Sequence, residues 1–571
     1  MGTRRRALLF AVTTLLVLPG VALTAPLSSA AAPAITPVCT STVPCFPVSS
    51  ATNLGPAGGE PSIQDDGAGH IYITTPLGTG SIGGTGVRFS RSSDGGATWV
   101  RTKDASNVEH PYTDIGGPVG GSDSDVLVDS TRKNLYVADL AAAFSNILRS
   151  QDGGKTFPVD TQTAFEDDRE WVTTVGPNVY VTFHDFAGNL PLIYGSTDQG
   201  VTFAPFGFAN TGQIFAPSDA GFADTKCNTL VGKPVTDAAG TIYILTNTST
   251  AAEDLAATCS LPAPLDRFYL SVSKDGGHTF TSHLVSDLSM AGNPGQLKSG
   301  SWGHVFNQLA IDAAGNLYID ASATLDGVAP LQNYLLVSQD HGVTFSKPIA
   351  TNPQPLHGQL FPAIAAGQAG QVAVGYYQGL FADHHKTGSN FQFIIDETLN
   401  ALAPGGPTFT HTQLAPLKGT TPQPDGICTD GIFCGTPASS GGNRNLADFE
   451  SMTTDETGHL EVILPADSDG SNTENWFYKQ TTGPLIPPGA TNGNGTGNQT
   501  WVAGARTTAP PPPVAAAASP SPTPSVLPNT SGTPANPTRL GPIVLVLVAV
   551  LLVGPAVFLR QARRKRRPLS S

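Results

Sequence analysis

The chain has 571 residues; Gly and Pro supply 63 and 48 of them, and 13% of the residues are charged. That excess of turn formers argues against helical bundles, whose interiors avoid both residues, while 39% apolar residues supply a sizeable core and exclude wholesale disorder. The two ends hold ten of the 30 basic residues and none of the 44 acids, so the interior carries 20 against 44, a net charge of −24 that repels phosphate backbones and excludes a nucleic-acid partner.

Residues 1–32 have the three parts of a secretory signal peptide: Arg4-Arg5-Arg6, an apolar run over 7–23 and the small residues Ser28 to Ala32. A retained N-terminal membrane helix is the alternative, and Arg4-Arg5 also permits a twin-arginine route. Two interleaved repeats then fill 33–482. One is an apolar strand, a turn and an apolar–aromatic strand, as in PSIQDDGAGHIYI (61–73), VLVDSTRKNLYV (126–137), WVTTVGPNVYV (171–181) and PVTDAAGTIYI (234–244). It continues as LAIDAAGNLYI (309–319), AIAAGQAGQVAV (363–374) and SMTTDETGHLEV (451–462).

The other repeat reads S-x-D-x-G-x-T-[FW] and follows each of the first five hairpins, with its aspartates at Asp94, Asp152, Asp198, Asp275 and Asp340. Asp accepts N–H bonds within its own turn and Gly supplies a positive φ. These five aspartates are therefore structural, and the closing aromatic is expected to pack beneath the turn. Two hairpins make a four-stranded antiparallel sheet, the blade of a β-propeller. The fold class is thus all-β, a propeller of six or seven blades, with seven preferred because the hairpin occurs seven times. The spacing from Tyr72 to Glu461 gives about 65 residues per blade, longer than usual, so the blades carry long loops. Asn475 to Lys479 is expected to be the last strand, closing the ring by pairing with the N-terminal region.

Beyond the propeller, 483–539 is rich in Pro, Thr, Ser and Ala and reads as a disordered, extended stalk. Residues 540–559 are long and apolar enough to span a bilayer, and 560–571 is a basic tail that the positive-inside rule places in the cytoplasm. The expected topology is type I, with the propeller on the outer face of the cell. Six cysteines suit export and allow 15 connectivities. Proximity favours three local loops, pairing Cys39 with Cys45, Cys227 with Cys259 and Cys428 with Cys434.

The five boxes resemble the Asp-box, or BNR, repeats of the sialidase superfamily and of other bacterial propellers, over roughly 51–480. Leu527-Pro528-Asn529-Thr530-Ser531, with the helix and tail behind it, resembles a Gram-positive sortase sorting signal, which implies cell-wall attachment in place of membrane retention. Sialidases hold the sugar carboxylate with three arginines, the first in an R-I-P motif, beside a Tyr–Glu nucleophile pair and an Asp acid/base. The matching stretch here is Gly59-Glu60-Pro61, with Gly where the arginine would stand, and no Arg lies between Arg267 and Arg444. The departure speaks against a working sialidase.

Residues just ahead of each first strand converge on a propeller's central mouth. Here they are Glu60, Asp123, Asp125, Asp168, Arg169, Glu170, Lys226, His304, Asn307, His357, Arg444, Asp448 and Glu450. Paired carboxylates are the machinery of glycoside cleavage, which makes Asp125, Asp168, Glu170 and Asp185 candidate catalytic residues. Glu60, Arg169, His304, His357, Arg444 and Asp448 are candidate ligand-binding residues, the two arginines suiting a carboxylate or sulfate. The same acids could hold Ca2+ through oxygen ligands; the blandest alternative is a set of structural ion pairs. Asp383-His384-His385 lacks a third metal ligand by spacing, and Tyr376-Tyr377 reads as strand aromatics. No phosphate loop, G-x-S-x-G elbow or H-E-x-x-H is present, which excludes nucleotide and zinc-protease chemistry. Two functions remain: a module that binds a glycan or a surface protein, and a glycoside hydrolase of sialidase type.

Overall fold

Alternation of apolar residues with turn formers every few positions makes each repeat fold back on itself, and the two hairpins of a unit then share one sheet. The computed structural model describes residues 39–499 apart from short internal stretches, the longest being 250–264. The expectations for 1–32, 527–531, 540–559 and 560–571, most of the stalk, and Cys227, Cys259, Lys226 and His304 lie outside the described residues. Among the described residues no helix is long and apolar enough to cross a membrane.

The protein is a seven-bladed β-propeller. Blade 1 is built from Ser62–Asp65, Ile71–Pro76, Val87–Ser92 and Thr113–Ile115, in that order from the axis outward. Blade 2 runs from Ser124–Val128 to Val159–Thr163, blade 3 from Asp167–Val175 to Ala204–Pro205, and blade 4 from Val235–Thr236 to Thr281–Asp287. Blade 5 runs from Gln308–Ile311 to Ile349–Ala350 and blade 6 from Gln359–Ala366 to Thr410–Gln413. Blade 7 takes Ser451–Thr454, Leu460–Ala466 and Glu474–Lys479 from the end of the fold and Ala51–Pro56 from its beginning. Ala51 lies opposite Tyr478 and Thr52 opposite Phe477, so the ring is closed as the Asn475–Lys479 segment implies. Closure removes the two sheet edges that an open array would expose.

The core lies in the seams between blades. Tyr72, Val87 and Phe89 of blade 1 pack against Val126, Leu135 and Val137 of blade 2, and the seams repeat around the ring. The S-x-D-x-G-x-T-[FW] turns join the third and fourth strands. In the first, Ser92 Oγ donates to Asp94 Oδ1 at 2.8 Å, the Thr98 N–H to Asp94 Oδ1 at 2.8 Å and Thr98 Oγ1 to Asp94 Oδ2 at 2.6 Å. The same three bonds recur at Asp152, Asp198, Asp275 and Asp340.

The turns have a second duty that their local chemistry does not reveal. A β-carbon on Gly96 would lie 2.5 Å from the Phe477 ring, on Gly154 2.6 Å from Phe89, and on Gly342 2.2 Å from Leu270. Each neighbour belongs to the preceding blade. The closing aromatics follow suit, with Trp99 edge-on to Phe477 and Phe157 edge-on to Phe89. The box is therefore an inter-blade spacer as well as a turn.

Two disulfides form as expected, Cys39–Cys45 beside the closing strands and Cys428–Cys434 in the loop between blades 6 and 7. Past residue 482 the chain is not wholly extended. Asn492–Asn494 pairs with Gly497–Gln499, and Asn494 lies opposite Ala365 on the innermost strand of blade 6. The inner edge of a first strand has unpaired backbone groups available for such an addition.

Gly96→Ala is expected to destabilise the protein by roughly 1–3 kcal/mol, since φ there is +86° and the new methyl meets Phe477. The midpoint of urea unfolding checks it; an unchanged midpoint would mean that the seam gives way freely.

Candidate functional site

Five innermost strands bring their leading residues to one point at the mouth: Glu60 from blade 1, Asp123 from blade 2, Arg169 from blade 3, Phe306 from blade 5 and Phe449 from blade 7. Arg169 is the centre. Its Nη1 and Nη2 donate to Glu60 Oε2 and Oε1, each at 2.7 Å, in the bidentate fork that a planar guanidinium favours. Nη1 also lies 3.1 Å from Asp123 Oδ1, and Nη2 donates to Asp448. The guanidinium rests 4.2 Å above the Phe306 ring and 5.4 Å from that of Phe449, with Trp171 packed against both rings. Arg444 approaches from the loop before blade 7, pairing with Asp448 and lying 3.7 Å from Glu60.

The backbone is bent to make this possible. Glu60, Arg169 and Ala447 have φ of 63°, 60° and 59°, the left-handed region that non-glycine residues avoid. The pairing of blade 3 with its second strand slips between Asp168 and Trp171, a bulge that re-aims Arg169 and Glu170. Strain of this kind gathers where surrounding contacts over-determine the geometry. Gly59 is equally constrained, because a β-carbon there would lie 2.1 Å from the Leu446 carbonyl oxygen. The position matched to the R-I-P arginine has no room for any side chain.

The acids divide by protonation. Burial pushes Glu60 up, but the Arg169 charge, the Asp123 hydrogen bond and Arg444 outweigh it and hold it below the ordinary value. Burial likewise raises Asp168, and His184, Arg169 and Asp123 overcome it. Asp123 goes the other way: burial, reinforced by the charges of Glu60 and Asp168 and only partly offset by Arg169, holds it well above the carboxylate range. Asp123 is thus shifted the opposite way from Glu60 and Asp168. Asp448 is raised by burial, and Glu170 and Glu450 well above the ordinary value for the same reason. Neither oxygen of Glu170 or of Glu450 has a hydrogen-bond partner in the described structure.

Of the residues expected at the site, Glu60, Asp168, Arg169, Arg444 and Asp448 come together, with Asp123 among them. Asp168 and Arg444 are its outer members, their side chains 29% and 28% exposed, and His184 Nε2 lies 3.5 Å behind Asp168. Glu170 adjoins the cluster but turns toward Asp167 and Asp139. Asp185 stands half-buried at the end of the second strand, opposite Asp167, and accepts the Leu190 N–H.

Asp125 and His357 do not join. Asp125 is fully buried below the mouth, where Ser62 Oγ (2.8 Å), Lys233 Nζ (2.6 Å) and the Val172 N–H (3.0 Å) engage it, linking four blades. It departs from the catalytic reading because its oxygens are taken up by Lys233, Ser62 and the Val172 N–H between blades. His357 sits between blades 5 and 6, its Nδ1 2.8 Å from the Gly379 carbonyl. Asn307 donates to the Trp302 carbonyl. Tyr376 and Tyr377 are fully buried strand aromatics, as expected. Among the described residues no three His, Cys, Asp or Glu side chains are arranged to hold a metal ion. Sequence reasoning missed Lys233, Phe306 and Phe449. The signal for Lys233, which pairs with Asp125 below the mouth, was its place directly ahead of PVTDAAGTIYI, the register from which the mouth residues come.

No family model matches the chain, and no curated protein matches it. Solved structures similar to it include a protein of unknown function from Dyadobacter fermentans, 13% identical with a TM-score of 0.40, covering 76% of this chain and 99% of that one. An ulvan lyase from a new polysaccharide lyase family is 11% identical with a TM-score of 0.44, over 76% of this chain and 96% of that one. An α-L-arabinanase of Penicillium chrysogenum complexed with arabinobiose is 11% identical with a TM-score of 0.36, over 75% and 97%.

Arg169→Met leaves three buried acids without their counter-charge and is expected to cost about 3–5 kcal/mol, with part recovered in Arg169→Met/Glu60→Gln; urea unfolding of both variants tests the coupling. A second expectation concerns pH. Burial raises Asp139, which the Gly121 and Gly117 N–H groups only partly offset, to about 7, and Asp167 to about 8. The folded state therefore holds protons that the unfolded chain releases, so their contribution is full below about pH 4 and is lost as pH rises through 7–8. Asp139→Asn should flatten the decline of Tm between pH 5 and pH 8, read by calorimetry across that range.

Proposed function

We propose that this chain is an exported Asp-box propeller of sialidase-like ancestry, displayed at a bacterial cell surface on its Pro-rich stalk, that binds a glycan at the central mouth. One observation carries the reading: Asp168 and Arg444 are the partly exposed ends of a network whose buried part is already paired. Arg169 has committed both terminal nitrogens to Glu60, Asp123 and Asp448. It positions the mouth, and Asp168 and Arg444 are left to meet a ligand with an acceptor and a donor suited to sugar hydroxyls. A few convergent polar groups in a concave site are the usual form of a small-ligand pocket.

A second reading is supported by the adjacency of Asp123 and Asp168 at the mouth, where the two carboxyls are hydrogen-bonded to each other. Burial raises Asp123 while His184, Arg169 and Asp123 itself lower Asp168, and two carboxyls shifted apart in this way suit the roles of a glycoside hydrolase, in which one donates to the leaving oxygen and the other activates the attack.

Both are tested on the purified full-length chain. In a glycan array, Asp168→Asn and Arg444→Gln should each weaken the bound glycan at least tenfold; binding indifferent to both substitutions overturns the site. Hydrolysis of fluorogenic sialosides and neutral glycosides, with and without calcium, separates the readings. Turnover lost in Asp123→Asn and Asp168→Asn makes the protein a hydrolase, and binding without turnover leaves it a lectin-like module.

A further inference from the structure

Phe165 is 60% exposed, on the segment that joins the last strand of blade 2 to the first strand of blade 3 and three residues ahead of Asp168. Exposing a phenyl ring to water is unfavourable, and the backbone here is strained to do it. Ala164 and Glu166, on either side, have φ of 52° and 64°. With Arg169, three of six consecutive residues lie in the left-handed region.

The arch is held at both ends by one residue. Thr163, the last of blade 2, lies opposite Ser145 in the sheet, and the Ser145 hydroxyl donates to Asp167 at the start of blade 3. Phe144, half-buried, immediately precedes Ser145. Its ring centroid is 6.4 Å from that of Phe165 and the planes meet at 50°, so the two rings form an open angle.

We propose that Phe144 and Phe165 are a stacking subsite for an uncharged pyranose ring of the glycan bound at the mouth, a reading that rests on the function proposed above. The faces of an aromatic ring carry negative potential and attract polarised C–H groups, and a pyranose presents such a C–H face with hydroxyls around its edge. Three residues of chain span at most about 10 Å, so a sugar stacked here reaches Asp168 with its own hydroxyls or those of the next unit. The surroundings set the charge of the ligand. Glu166 is exposed, Asp168 and Asp185 are partly exposed beside the arch, and the interior carries 20 basic residues against 44 acids. Acidic sugars, anionic lipid and a second copy of the chain are all repelled by that field.

The full-length chain and its Phe165→Ala, Phe165→Trp and Phe144→Ala variants are to be titrated with methyl β-glucoside, methyl β-galactoside and the methyl glycoside of sialic acid, reading saturation transfer by NMR. Transfer to a neutral glycoside, reduced at least fivefold by Phe165→Ala, kept by Phe165→Trp and absent for the sialic acid glycoside, is the expected result. Transfer unchanged by Phe165→Ala, or stronger for the sialic acid glycoside, overturns the subsite even where Asp168→Asn and Arg444→Gln still abolish array binding. Retained subsite transfer with array binding indifferent to those two substitutions overturns the mouth reading instead. Self-association or vesicle flotation that Phe165→Ala removes, without transfer from any neutral glycoside, reassigns the rings and overturns the proposal.

Discussion

A guanidinium buried at the axis of a ring must be paired, and nearly everything at the mouth follows from that requirement. An unpaired ion in a low-dielectric interior costs several kcal/mol even after relaxation, so Arg169 gathers acids from blades 1 and 2 and from the loop entering blade 7. To reach them, three residues adopt left-handed backbone and one strand slips its register. The aromatic residues of blades 5 and 7 supply the other half of the enclosure, presenting ring faces that a cation favours. The first three blades and the seventh are thereby tied at a single point, which fixes how the innermost strands stand relative to one another.

The rim of the propeller solves a different problem with the same residue type. Asp152 and Asp198 in the outer turns are exposed and held to about 2: at Asp152 burial is the largest single effect and raises the carboxyl, but the Thr156, Ser150 and Lys155 donors together outweigh it, and at Asp198 the Thr202 and Ser196 donors exceed burial outright. Asp123, Asp139 and Asp167 near the axis are buried and raised. The outer aspartates lose their stabilising bonds only in strong acid, and the inner ones become a burden as the pH rises through neutrality. The two sets therefore pull the stability of the fold in opposite directions as the pH changes.

What could be read from the sequence divides along the same line. The boxes were legible because Ser92, Asp94, Gly96 and Thr98 satisfy one another within seven residues, so the pattern repeats wherever the turn does. Blade number and closure by Asn475 to Lys479 followed from counting strands. The centre was legible in composition but not in arrangement. Asp123 and Asp125 are two residues apart and look equivalent in sequence, yet Asp125 descends into the seam to meet Lys233 while Asp123 stays at the mouth. That choice depends on where blade 4 places its lysine, a contact 108 residues away. Arg169 was visible as a cation near the mouth, but its commitment to three acids was not, because those acids arrive from both ends of the chain.

These constraints also explain the departure from the sialidase pattern. An anion-binding triad needs arginines whose donors face the ligand. Here the position matched to the first arginine is closed by the Leu446 carbonyl, and the arginine that does occupy the axis turns its donors inward to Glu60 and its neighbours. Adding a carboxylated ligand above Arg169 would bring a further negative charge to a guanidinium already shared among three acids. On the function proposed above, recognition at the mouth falls to the groups the network leaves at its edge, Asp168 and Arg444, and to whatever apolar surface lies within reach of them. A hydroxyl-rich ligand with one apolar face meets those terms without disturbing the buried charges, and an acid sugar does not.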